Sequence, residues 1–265
     1  MTWMERMLAL ILGCSAPELL DRAVLLDGCE DLAVGTLPED HPARESGFDR
    51  CAMAFEVPTF GFEGVSDEAV LHLARVTAEY LDNDEDGAVD DPTLLSHLHA
   101  SNAVNVALRT EADQGAAFSG DFAAGVEAQP TWESEMDASV EPWFDASYEE
   151  VLHLINFAGH ARAYPEVFGL ERGSQLMEAL DAADHYHYND PTCRRDCDAI
   201  EYLYWATTTR MGLQADPRRC EWISDEWEVC TAEDLEATDP RIMAILVNDA
   251  YPYPSVAPDG VYAPQ

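Results

Sequence analysis

An α+β fold is expected, with a small sheet backed by packed helices and a mainly helical C-terminal half. Three observations predict it. Residues 51–110 run strand, helix, acidic loop, helix, strand; residues 145–265 carry helical patterning almost throughout; and 47% of the 265 residues are apolar, with 6 Trp and 10 Tyr, enough to fill a core.

Residues 1–50 read as a leader and an N-terminal approach. Within them Met7-Leu-Ala-Leu-Ile-Leu-Gly-Cys14 is a short apolar run behind Arg6 that ends like a bacterial lipoprotein cleavage box. On that reading Cys14 carries a lipid anchor; the other reading is a buried N-terminal helix with a free thiol. Phe55-Glu-Val-Pro-Thr-Phe-Gly-Phe62 alternates aromatics as a strand does. Ser66-Asp-Glu then starts a helix on which Val70, Leu73, Ala74, Thr77 and Leu81 share one face. Asp91-Pro92 reads as N-cap and first residue of a second helix, and Ala103–Leu108 as a strand. The acidic stretch 111–144, rich in Gly, Ala, Pro and Ser, is expected to be a long ordered loop or a boundary. Helices are expected near 147–158, 173–185, 196–211 and 239–248, followed by a Pro-rich strap from Tyr251 onward. No run approaches the roughly 20 apolar residues of a membrane span, and no internal repeat is found.

There are 52 acidic residues against 14 basic ones, all of them Arg, for a net charge of −38. Such a surface repels nucleic acid and anionic lipid and attracts cations. It suits either a salty medium or a local concentration of divalent ions. Six of the seven cysteines form three local couples, Cys29 with Cys51, Cys193 with Cys197 and Cys220 with Cys230, leaving Cys14 over. Disulfides in turn imply export to a periplasmic, cell-surface or extracellular location.

In Asp82-Asn-Asp-Glu-Asp-Gly-Ala-Val-Asp90 the residues Asp82, Asp84 and Asp86 stand at positions 1, 3 and 5 of an EF-hand-type loop. Gly87 at position 6 permits the sharp turn, Ala88 offers its carbonyl at 7, and Asp90 stands at 9. Hard oxygen ligands at alternate positions suit Ca²⁺. Thr93 stands where an EF-hand has its bidentate acid, so a structural rather than a sensing site is expected. The competing reading is a solvated acidic turn between two helices.

Ser147-Tyr-Glu149-Glu150-Val-Leu-His153 opens an apolar helix on which Glu149, Glu150 and His153 share one side. The pattern resembles the His-Glu-x-x-His helix of the zincin metallopeptidases, with Glu149 in place of the first histidine. The resemblance implies that Glu149 and His153 hold Zn²⁺ and that Glu150 is the general base for the attacking water. Glu201, on a later aromatic-lined helix, is the preferred further ligand, with His160 the other candidate if the chain turns at Gly159. His185 and His187, spaced with Cys193 and Cys197, form an alternative cluster only if those cysteines are reduced. Against all of these stands a plain reading: Ser147 and Glu150 form a capping box, and Glu149 favours the helix dipole.

Several blocks together resemble a family of secreted proteins to which no activity is attached. They are Val57-Pro, Ala78-Glu-Tyr-Leu-Asp-Asn-Asp-Glu-Asp-Gly87, Glu149-Glu-Val-Leu-His-Leu-Ile155, Ala163-Tyr-Pro165, Asp190 to Trp205 and Pro258-Asp-Gly-Val-Tyr262, spanning residues 55 to 262. The resemblance implies export but no substrate, and His160 stands where that pattern has Tyr. The function expected is an exported, calcium-stabilised, zincin-like metallohydrolase with a peptide or protein substrate. The alternative, from a different class, is a non-catalytic calcium-binding cell-surface or interaction protein. A di-iron oxidase is more distant, because only one Glu-x-x-His is present.

Overall fold

The computed structural model describes residues 19–188 and 190–265, so the Cys14 lipid-anchor reading lies outside the described residues. The chain is mixed α and β and divides into two compact units. One comprises residues 19–159 with Pro258–Gln265, the other His160–Ala257.

The first unit is built on a six-stranded mixed sheet: β1 (Glu30–Asp31), β2 (Gly35–Thr36), β3 (Phe48–Ala54), β4 (Val57–Phe62), β5 (Ala103–Leu108) and β6 (Glu127–Trp132). The order is β1-β3-β4-β5-β6 with β2 beside β3. β3 and β4 are antiparallel, while β4, β5 and β6 run parallel. The single strand expected from Phe55 is the second arm of a hairpin. Phe55 and Glu56 adopt left-handed φ values of 49° and 60° and form the two-residue turn, with Ala54 paired to Val57.

The stretch 111–144 also departs from expectation: it contributes β6 at the sheet edge, between short helical turns. Pro130 fits within β6 because an edge strand tolerates the missing N–H. One sheet face packs Phe48, Phe60, Val104, Val106 and Phe122 into an apolar core. Cys29–Cys51 ties the N-terminal approach to β3 across 22 residues, a loop closure worth roughly 3 kcal/mol.

The other sheet face carries helices. α1 (Asp67–Leu81) is capped by the Ser66 side chain on Ala69 N–H, and α2 (Pro92–Ala100) by Asp91 on the N–H groups of Thr93 and Leu94. α3 (Ala146–Leu154) packs on β6, β5 and α1. Its N-cap is Asp145, which accepts Ser147 N–H at 2.9 Å, so Ser147 is inside the helix and the capping box with Glu150 does not form. His72 of α1 locks this corner, with Nε2 2.8 Å from Asp145 Oδ2 and 3.0 Å from Ser147 Oγ.

The second unit is helical: α4 (Gln175–Leu180), α5 (Arg195–Arg210), α6 (Pro217–Trp222), α7 (Ala232–Thr238) and α8 (Pro240–Leu246). Its core stacks Tyr202, Trp205 and Trp227, and Cys193–Cys197 and Cys220–Cys230 are closed as the local couples predict. No helix among the described residues is long and apolar enough to cross a membrane.

Candidate functional site

The acidic loop follows α1 directly. Asp82 is fully buried, and one carboxylate oxygen from each of Asp82, Asp84 and Asp86 lies within 4.8 Å of the others. The loop curls around them because its N–H groups are spent on those same carboxylates. Asp86 N donates to Asp82 Oδ1 at 3.1 Å, Gly87 N to Asp82 Oδ2 at 2.8 Å, and Ala88 N to Asp86 Oδ1 at 2.9 Å. Gly87 supplies the turn with φ 89°, a value that a side chain would make costly. Asp90, expected as a ligand, is not brought into this group; its Oδ2 accepts Asn83 N–H at 2.8 Å. Burial, and the carboxylates of Asp84, Asp82 and Asp86, push the Asp90 carboxyl up against that hydrogen bond.

The terminal strap closes over the loop. Tyr262 Oη donates a short hydrogen bond to Asp82 Oδ2, Ala263 N donates to Glu85 Oε2 at 3.2 Å, and Gln265 N donates to the Glu85 carbonyl at 3.1 Å. One helical turn earlier, buried Glu79 accepts the N–H groups of Asp259, Gly260 and Val261 at 3.0–3.2 Å. Burial pushes its carboxyl up to about 7, opposed by those three donors. Sequence reasoning found the Asp82 loop and marked Pro258–Tyr262 as a block, but not that the two meet.

On α3, Glu149 and His153 each offer a ligand atom, and these lie within 4.8 Å of each other. His153 is buried. Glu150 Oε2 stands 3.5 Å from His153 Nδ1, an ion-pair approach rather than a hydrogen bond. Gln129 of β6 holds that same oxygen through a short Nε2–H bond, while Glu150 Oε1 has no hydrogen-bond partner among the described residues.

Gln129 belongs to a polar row written into the strand register. Thr59 pairs with Asn105 and Asn105 with Gln129, all three on the face toward α1 and α3, where Asn105 Nδ2 donates to Thr77 Oγ1 at 3.0 Å. This row was missed. The alternation of Ala128, Pro130 and Gln129, Thr131 carries the signal, but Pro130 masks it.

In the helical unit, Glu201 lies on α5, where Tyr188 Oη donates to its Oε1 at 3.4 Å. His160 is buried between the rings of Tyr253 and Phe168, with centroids at 4.7 and 5.1 Å. The backbone continues through Gly159 as a π-helical stretch, Ile155–His160. The alternative His/Cys cluster is not assembled either. Cys193 and Cys197 bond to each other; His185 is buried against Trp227, with Asp239 at 3.5 Å, and exposed His187 pairs with Glu228 at 3.0 Å.

Comparison of the chain with protein-family models, with curated proteins and with solved structures finds no match.

Proposed function

We propose that the chain is an exported, calcium-stabilised, zincin-like metallohydrolase acting on peptide bonds. The observation that carries the reading is the Glu149–His153 pair of α3, a carboxylate and an imidazole with ligand atoms within 4.8 Å, a donor set that fits Zn²⁺. The ion, when bound, supplies Lewis acidity toward a substrate carbonyl.

The remaining chemistry belongs to Glu150. Its Oε2, beside His153 Nδ1, favours the tautomer with the proton on Nδ1 and the lone pair on Nε2. Gln129, an amide donor, steadies the carboxylate form, and Oε1 is left to take the proton of the attacking water. Because Asp145 caps the helix, Glu150 has no capping duty to explain its presence.

A second reading is a non-catalytic calcium-dependent surface protein. It is favoured by the Asp82 loop, which is closed by its own strap and requires no reaction. Metal analysis after Zn²⁺ reconstitution, with proteolysis of an unfolded protein substrate, separates the two. The hydrolase reading expects stoichiometric zinc in the wild type and its loss in His153→Ala. In Glu150→Gln it expects retained zinc with activity lowered by roughly 10²–10⁴. A protein that takes up no stoichiometric transition metal overturns it and leaves the calcium reading standing.

A further inference from the structure

A cavity of about 370 Å³ opens at the turn end of the β3–β4 hairpin, well apart in sequence from α3. That volume lies in the range of small-ligand sites and suits a single long side chain. Leu32, Met53 and Ala78 give it apolar walls. Phe55 and Tyr262, both in its wall, pack edge to face on each other with ring centroids 6.2 Å apart. Asp31 and Glu56 are its only charged lining groups, and both are acidic and exposed.

One feature marks it as more than a gap: its charge is unbalanced. Asp31 has no hydrogen bond or ion pair from its side chain among the described residues, whereas Glu56 is paired with Arg22, whose Nε is 3.7 Å from its Oε2 and whose guanidinium also donates to the Glu56 carbonyl.

We propose that this cavity binds an alkyl cation, the side chain of an arginine or lysine in a peptide. The stem lies on Leu32 and Met53, and the charged head meets Asp31 and Glu56 beside the Phe55 and Tyr262 rings. Apolar walls hold the methylenes while carboxylates and aromatic faces hold the cation. An anionic ligand is repelled by both carboxylates and by the net charge of −38. The proposal is independent of the hydrolase reading, since none of its residues lies on α3 or in the helical unit.

The test titrates the full chain, in saturating Ca²⁺ and physiological salt, with butylguanidinium and with its neutral isostere butylurea, followed by NMR chemical shifts. Binding of butylguanidinium is expected at about millimolar affinity, roughly fivefold or more tighter than butylurea. Asp31→Asn is expected to remove most of that preference, and Met53→Trp to abolish binding of both by filling the cavity. If Met53→Trp does not fold, Asp31→Asn alone decides. No detectable binding of butylguanidinium, equal affinity for butylurea, or a preference unchanged in Asp31→Asn overturns the proposal.

Discussion

At the scale of single residues, Glu79 is the group with most leverage. Its carboxyl is buried, accepts three backbone N–H groups from the strap and is pushed from its ordinary 4.5 up to about 7. Between those two values the folded protein holds a proton that the unfolded chain has lost. The stability from this group is therefore present below about pH 4.5 and lost as pH rises toward 7. Thermal unfolding in saturating Ca²⁺ is expected to show this fall between about pH 5 and pH 7, and Glu79→Gln to flatten it. An unchanged slope in the variant assigns the pH dependence to other groups. Gln129 is the second such residue, since its amide holds Glu150. Gln129→Leu is expected to leave zinc binding near wild type and to lower hydrolysis by roughly tenfold, because it loosens only the general base. Turnover of an unfolded protein substrate by the zinc-loaded variant measures this, and a rate equal to wild type removes Gln129 from the site.

At the scale of elements, the corner where α1, α3 and Asp145 meet sets where α3 begins. Asp145 caps Ser147 N–H and also faces His72, both within a buried corner. Asp145→Ala is expected to destabilise the protein by about 2 kcal/mol, at the upper end for an N-cap, because it also strands the His72 contact. Equilibrium denaturant unfolding measures it, and a loss below about 0.5 kcal/mol contradicts this account.

The same corner shows why parts of the fold were legible and others were not. α1 and α2 announce themselves by periodicity with Ser66 and Asp91 at their caps, and the structure places both caps there. The start of α3 was misread because Ser147-x-x-Glu150 matches a local capping pattern, whereas the cap chosen, Asp145, is fixed by a histidine 73 residues away. β3 escaped notice because its burial alternation is broken at a register shift between Phe48 and Arg50. β6 was hidden by Pro130. The alternate aspartates of the acidic loop are local in sequence, and the structure gathers the carboxylates of Asp82, Asp84 and Asp86, while the closing partner, Tyr262, is 180 residues distant and left no mark in the spacing.

At the scale of the whole molecule, the chain leaves the sheet unit at Gly159, builds the helical unit, and returns with Pro258–Gln265. Those last eight residues touch the acidic loop at Asp82 and Glu85 and the preceding helix at Glu79. Without an acid at position 12, the loop lacks the ligand that closes an EF-hand, and the strap restrains it from outside instead. Calcium binding and strap docking should therefore support each other, since each orders the loop that the other needs. Ca²⁺ at about 100 times its dissociation constant should stabilise the protein by about 2.7 kcal/mol. For a chain of this size that is a rise of roughly 5–10 °C in the unfolding midpoint, reversed by chelation. The rise should be smaller in high salt, where the repulsion behind the −38 charge is screened and cations compete for the loop. Ending the chain at Ala257 is expected to cost roughly tenfold in calcium affinity by calorimetry, and Tyr262→Phe a smaller part of the same loss. Because Tyr262→Phe keeps the ring and removes only the hydroxyl on Asp82, it separates the hydrogen bond from the packing of the strap. A truncated protein that binds Ca²⁺ as tightly as the full chain would show that the strap closes over the loop without holding it.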